Sequence, residues 1–207
     1  ATSVPLERAL ERAPARRPAA PSAARRWSEV TADPERCTVT RPPGLRLDSG
    51  GLAKGVFADV LGESLATHAS YAVDAAGDLR VGGAGALARP VQVASPFDGT
   101  ILHTFRLADA GVATSGIGRR SWLNPDGEPA HHLLDPAMGR PAYTGVVQAT
   151  ALAPTALEAE IRAKAAVLSG PDGALAWLRL GGAVVLEDGS HAVVDAAVAR
   201  GVLAAGC

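Results

Sequence analysis

Ala153-Pro154-Thr155-Ala156-Leu157-Glu158-Ala159-Glu160-Ile161-Arg162-Ala163-Lys164-Ala165-Ala166-Val167-Leu168 follows directly on the β-rich run Val146–Leu152. The change of pattern predicts a strand that feeds a helix. Thr155 stands where an N-cap belongs, and Glu158 three residues later completes a capping box. The line Leu157, Ile161, position 164 and Leu168 has the spacing of a buried helix face, and position 164 on it is lysine. An ammonium group is costly to bury unless an anion meets it, and Glu160, one turn earlier, is the nearest candidate. Two readings stand side by side. One is a solvated i,i+4 pair worth about 0.2–0.5 kcal/mol; the other is a charged pair belonging to a site.

Outward from this stretch, strand-like runs outnumber helical ones. Thr38–Thr40, Leu45–Asp48, Ser70–Asp74, Gly111–Ser115 and His131–Pro136 read as strands. Pro90–Ala94 and Ile101–Leu107 frame a hairpin around Pro96–Gly99, and Ala183–Leu186 and Ala192–Val194 frame another. Two further helices are expected. One covers Leu52–His68, with Leu52, Val56, Val60, Leu61 and Leu65 on its apolar face, and the other covers Pro171–Arg179. Mostly hairpin connections favour an α+β fold, a mainly antiparallel sheet with packed helices, over a doubly wound one. Residues 1–26 differ in character: a short helix over Val4–Ala13, then a Pro-, Ala- and Arg-rich run to Pro21. That composition is read as an irregular arm or linker, ahead of a single domain over 27–207.

With 207 residues, 47% hydrophobic and 20% charged, the chain is sized for one good core. Its net charge of −1 supplies no field to gather nucleic acid. No apolar run approaches the ~20 residues needed to span a bilayer. Cys37 and Cys207 suggest neither a disulfide framework nor a metal or redox motif. The chain begins at Ala1, which is read as processing or as a fragment of a longer protein.

Three places carry candidate chemistry. Ser49-Gly50-Gly51 opens the helix that bears Lys54. A glycine-rich strand-to-helix junction with a cation in its first turn suits an anion, although this one is neither a Walker loop nor a GxGxxG. Thr114-Ser115-Gly116 offers hydroxyls, and Asp48 and Asp78 fall at strand ends. His131-His132-x-x-Asp135 invites both metal ligation and acid–base chemistry. Adjacent residues of a strand point to opposite faces, so at most one of these histidines shares a side with a site. Together these features predict a phosphate-bearing ligand near Gly50–Lys54.

Five motifs in order resemble the FAD:protein FMN transferase (ApbE) family. They are Leu47-Asp48-Ser49-Gly50-Gly51-Leu52-Ala53-Lys54-Gly55, Asp74-Ala75-Ala76-Gly77-Asp78-Leu79-Arg80, Ala113-Thr114-Ser115-Gly116, His131-His132-Leu133-Leu134-Asp135-Pro136-Ala137-Met138-Gly139-Arg140-Pro141 and Ala153-Pro154-Thr155-Ala156-Leu157-Glu158-Ala159. The resemblance implies a tunnelling-like α+β fold, bound FAD, and Mg²⁺-assisted transfer of FMN from FAD to a Ser/Thr hydroxyl of a target flavoprotein, with release of AMP. It implies flavin contacts from Asp48, Lys54, Asp78, Thr114 and Ser115, with Leu134 acting through its backbone. His132 and Lys164 take the catalytic positions, and Gly51, through its carbonyl, Glu160 and Lys164 the metal positions. It also suggests a place at the cell envelope or in the cytoplasm.

This chain departs from the family pattern in three ways. Glu160 and Lys164 stand where the family has Asp and Thr, and the expectation is that the ammonium partly replaces the metal, touching the pyrophosphate or pairing with Glu160. Only 47 residues precede the Asp48 motif, where family members carry a substantial folded segment. After Thr114-Ser115-Gly116 the chain reads Ile117-Gly118-Arg119-Arg120, in which only Arg120 fits. The alternatives are a module that binds or slowly hydrolyses FAD without modifying a protein, and a catalytically silent interaction domain.

Overall fold

The computed structural model describes residues 2–195 apart from Ala86. In chain order it has β1 (Thr2–Ser3), α1 (Leu6–Glu11), β2 (Thr31–Asp33), β3 (Thr38–Thr40), α2 (Ala53–Ser64), β4 (Tyr71–Ala75) and β5 (Asp78–Gly82). Then come β6 (Arg89–Ala94), β7 (Ile101–Leu107), β8 (Ala110–Gly116), β9 (Ser121–Leu123), β10 (Pro129–His131), β11 (Leu134–Asp135) and β12 (Arg140–Pro141). The series ends with β13 (Val146–Ala153), α3 (Ala156–Trp177), β14 (Gly182–Leu186) and β15 (His191–Val194).

Six strands form one sheet in the order β15-β14-β13-β8-β5-β4, each neighbour antiparallel. This is the mainly antiparallel α+β arrangement expected. Period-two alternation divides its core into two layers. Ala149, Ala151 and Ala153 of β13, with Ala113 of β8, pack under α3 against Ala159, Ala163, Ala166 and Val167. On the opposite face Leu152, Val112, Val81 and Ala183 meet Val91, Val93, Phe105 and Leu107 of the β6–β7 hairpin.

The helices are seated by small residues. A Cβ on Gly111 would come 2.1 Å from the Thr155 carbonyl carbon, and one on Gly55 would come 2.6 Å from Leu157 Cα. Sheet, α2 and the start of α3 therefore touch backbone to backbone. Both apolar-face expectations for the helices are corrected by this packing. The buried residues of α2 are Gly55, Ala58 and Gly62, while Leu52, Val56, Phe57, Val60 and Leu61 are exposed. In α3 the buried line runs through Ala156, Ala159, Glu160, Ala163, Ala166 and Val167, and Ile161 faces outward. Close approach selects the small side chains and turns the larger ones away.

Thr155 caps α3 as expected, its Oγ1 accepting from the Glu158 N–H at 3.1 Å. The reciprocal half of the box is not made, because the Glu158 carboxylate pairs with Arg162 at 2.6 Å. A second helix begins at Pro171, where Gly170 (φ 72°) breaks the ladder within the continuous span.

The linker reading of the N-terminal segment is also corrected. Leu6 is buried in the main core, and β1 pairs with β9. Arg17 and Ala19 donate their N–H groups to Tyr143 O (3.1 Å) and Leu168 O (2.8 Å). A run rich in proline still supplies alternate N–H groups, and these dock it on the domain. No strand forms at Leu45–Asp48, and the expected strand His131–Pro136 is divided between β10 and β11. Cys37 is exposed, and Cys207 lies outside the described residues.

Candidate functional site

The site begins with a carboxylate that helix packing forces inside. Glu160 lies on the buried face of α3 and is 1% exposed. Its Oε2 accepts the Gly55 N–H of α2 at 2.9 Å, and its Oε1 accepts from Lys164 Nζ at 3.2 Å. Lys164 Nζ donates in turn to the Gly51 carbonyl at 3.0 Å. The first turn of α2 therefore meets an anion from the chain itself. That revises the sequence expectation for the glycine junction: the Gly55 amide in the helical turn that follows it is already satisfied within the chain.

Asp78, at the start of β5, is 1% exposed and forms an ion pair with Lys54 at 2.6 Å. Burial raises its pKa above the usual carboxylate value and the nearby Glu160 charge adds to that, opposed by Lys54 and a Thr114 backbone hydrogen bond. Thr114 Oγ1 lies 2.8 Å from Thr150 Oγ1 across β8 and β13. His132 is exposed beside this group, and its pKa is lowered, first by partial desolvation and then by the charges of Arg120, Lys164 and Lys54. Lys54 and Lys164 pair with the two buried carboxylates, Asp78 and Glu160, and the charges of Lys54, Lys164 and Arg120 reach His132 and favour its neutral form.

Other candidates are placed elsewhere. Asp48 is exposed and accepts the Gly50 N–H within its own turn at 2.6 Å. Ser115 is buried on the Ala113 side of β8. Leu134 is exposed and opposes Pro141 in the β11–β12 pair. His131 is buried edge-on against Tyr143, with ring centroids 4.7 Å apart, and accepts the Leu133 N–H at Nδ1. The two histidines therefore do face opposite ways. Asp135 turns to the Ala20 and Ala137 N–H groups at 3.2 and 2.9 Å rather than to either histidine.

Sequence reasoning passed over Asp59. Its two carboxylate oxygens accept the Ala156 and Leu157 N–H groups at 2.8 and 2.9 Å, which holds the start of α3 beside Lys54's helix. The available signal was its place one turn after Gly55, on the face of α2 that carries the small residues.

The magnesium implied by the resemblance finds no fitting donor set. Of the implied ligand positions Gly51 O and Glu160 Oε1 supply oxygens, and both engage the Lys164 ammonium. Magnesium requires oxygen contacts of about 2.0–2.1 Å, whereas a protonated lysine offers no lone pair and repels a dication. Among the described residues no cluster of three or more His, Cys, Asp or Glu is arranged to hold a metal.

The FAD:protein FMN transferase of Treponema pallidum is 33% identical over 151 residues, covering 66% of this chain and 41% of that protein. That of Salmonella typhimurium is 33% identical over 57% of this chain and 35% of its own length. The chain thus spans about two fifths of the curated relatives it matches. The ApbE protein of Thermotoga maritima superposes with a TM-score of 0.68 at 28% identity, over 81% of this chain and 57% of that one. Pseudomonas stutzeri flavinyl transferase ApbE shares the fold, with a TM-score of 0.65 at 22% identity over 87% of this chain and 58% of that one. A model of the ApbE family matches residues 2–186, and the chain belongs to the ApbE family.

Proposed function

We propose that this domain binds FAD with its diphosphate over the cluster of Lys54, Lys164, Arg120 and His132. It transfers FMN to a Ser/Thr hydroxyl of a target flavoprotein and releases AMP. The observation that carries this reading is that Lys164 contacts the Gly51 carbonyl, Lys54 stands in the helical turn that follows, and both add with Arg120 to the desolvation that lowers the pKa of His132, in a chain whose curated relatives are named FAD:protein FMN transferase.

In the reaction the acceptor oxygen forms a bond to the flavin-side phosphorus. The bond from that phosphorus to the bridging oxygen breaks, and AMP leaves with the bridging oxygen. Neutral His132 takes the hydroxyl proton, a role its lowered pKa suits near neutral pH. Lys54 and Lys164 stabilise charge on the phosphate oxygens. Magnesium assistance, as the resemblance implies it, would require a donor set that Lys164 already engages. The Asp48 and Leu134 contacts and the Thr114 hydroxyl remain part of the proposed flavin environment, whereas the Ser115 side chain, buried on the opposite face of β8, does not.

The Lys164 ammonium held between Gly51 O and Glu160 favours a second reading, a module that binds FAD without modifying a protein. Incubation with FAD and a flavoprotein carrying an acceptor Ser/Thr distinguishes the two. Transfer adds an FMN mass to the target and releases AMP. Binding alone quenches flavin fluorescence and leaves the target mass unchanged. Under the transferase reading, His132→Asn slows labelling by about 10²–10⁴-fold while FAD binding persists.

A further inference from the structure

Lys164 makes contacts that a surface i,i+4 pair would not. Its side chain is 25% exposed, and its ammonium bridges a carboxylate on its own helix and a main-chain carbonyl 113 residues away. That carboxylate is itself 1% exposed and needs a counter-cation. Lys54, the other cation at the junction, pairs with Asp78 rather than with Glu160. A carbonyl oxygen and an anionic carboxylate oxygen form a donor pair of the hard-cation type, and here it is filled by nitrogen. Of the three N–H donors of an ammonium group, two are used within the chain, which leaves one for a ligand oxygen among the described residues.

We propose that Lys164 is a resident cation: its ammonium fills the oxygen site between Gly51 and Glu160, makes diphosphate binding independent of divalent metal, and conceals a divalent-cation site that its removal uncovers. The diphosphate part rests on the flavin reading above. The cation part stands without it.

The test measures Mn²⁺ binding to the whole chain by the loss of the free-ion electron paramagnetic resonance signal, without flavin. Lys164→Thr is expected to take up one Mn²⁺ at least tenfold more tightly than the wild-type protein, and adding Glu160→Gln abolishes the gain. FAD titrations then compare EDTA with Mg²⁺. The wild-type affinity changes less than twofold between them, whereas Lys164→Thr loses at least tenfold in EDTA and recovers with Mg²⁺. Wild-type uptake of one Mn²⁺ that Glu160→Gln removes overturns the proposal, even if Lys164→Thr does not fold. A folded Lys164→Thr protein that binds no Mn²⁺ also overturns it. If FAD fails to bind under every condition, the flavin reading and metal-independent diphosphate binding fall together, while a Mn²⁺ site gained in Lys164→Thr still supports the concealed cation site.

Discussion

His131 and His132 differ by one position and have opposite surroundings. His131 is buried against Tyr143, and desolvation pushes its pKa down from 6.5 to about 4. The folded state therefore prefers neutral His131, whereas the unfolded chain protonates it near pH 6.5. This contribution to stability is fully present above pH 6.5 and is lost as the pH falls toward 4, to the extent of about 3 kcal/mol. Urea unfolding from pH 7.5 to 4 measures it, and His131→Gln should flatten that part of the profile even if its stability at pH 7.5 is lower. The opposed directions of the two rings were legible from strand alternation. The depth of His131 was not, because Tyr143 reaches it from twelve residues further along the chain. Lys164 was legible as a charge out of keeping with its neighbours, but its Gly51 contact depends on how two distant helices meet.

At the scale of the elements, α2 and α3 were placed correctly along the chain but rotated wrongly about their axes. Hydrophobic periodicity selects large apolar side chains, and Leu52, Val56, Val60 and Leu61 have that spacing. Burial instead follows the narrowest contact, where Gly55 and Gly62 allow close approach. The two orientations predict different mutational outcomes. Gly55→Ala places a methyl group against the α3 backbone and should cost about 3 kcal/mol, read as a fall in the urea midpoint. Val60→Lys, on the exposed face, should change stability by no more than about 0.5 kcal/mol. The reverse pattern would mean that α2 packs through its larger side chains.

The whole molecule extends the ordered domain into a segment whose composition suggested a linker. Leu6 is 4% exposed within the core shared with Ile117, Leu133 and Val147. Leu6→Ala should therefore cost about 3 kcal/mol and lower a single cooperative unfolding transition, whereas a tethered arm would leave the midpoint unchanged. The sheet and both hairpins were readable because strand periodicity and turn residues act locally. Docking of residues 2–20 was not, since it relies on backbone N–H groups that composition does not reveal. The clamp joining Gly55, Glu160, Lys164 and Gly51 has a thermodynamic consequence. Immobilising a flexible side chain at a binding site costs about 0.5–1.5 kcal/mol, and here folding has already ordered the Lys164 stem. An incoming diphosphate should therefore bind with a smaller entropic penalty than it would to a lysine free on the surface.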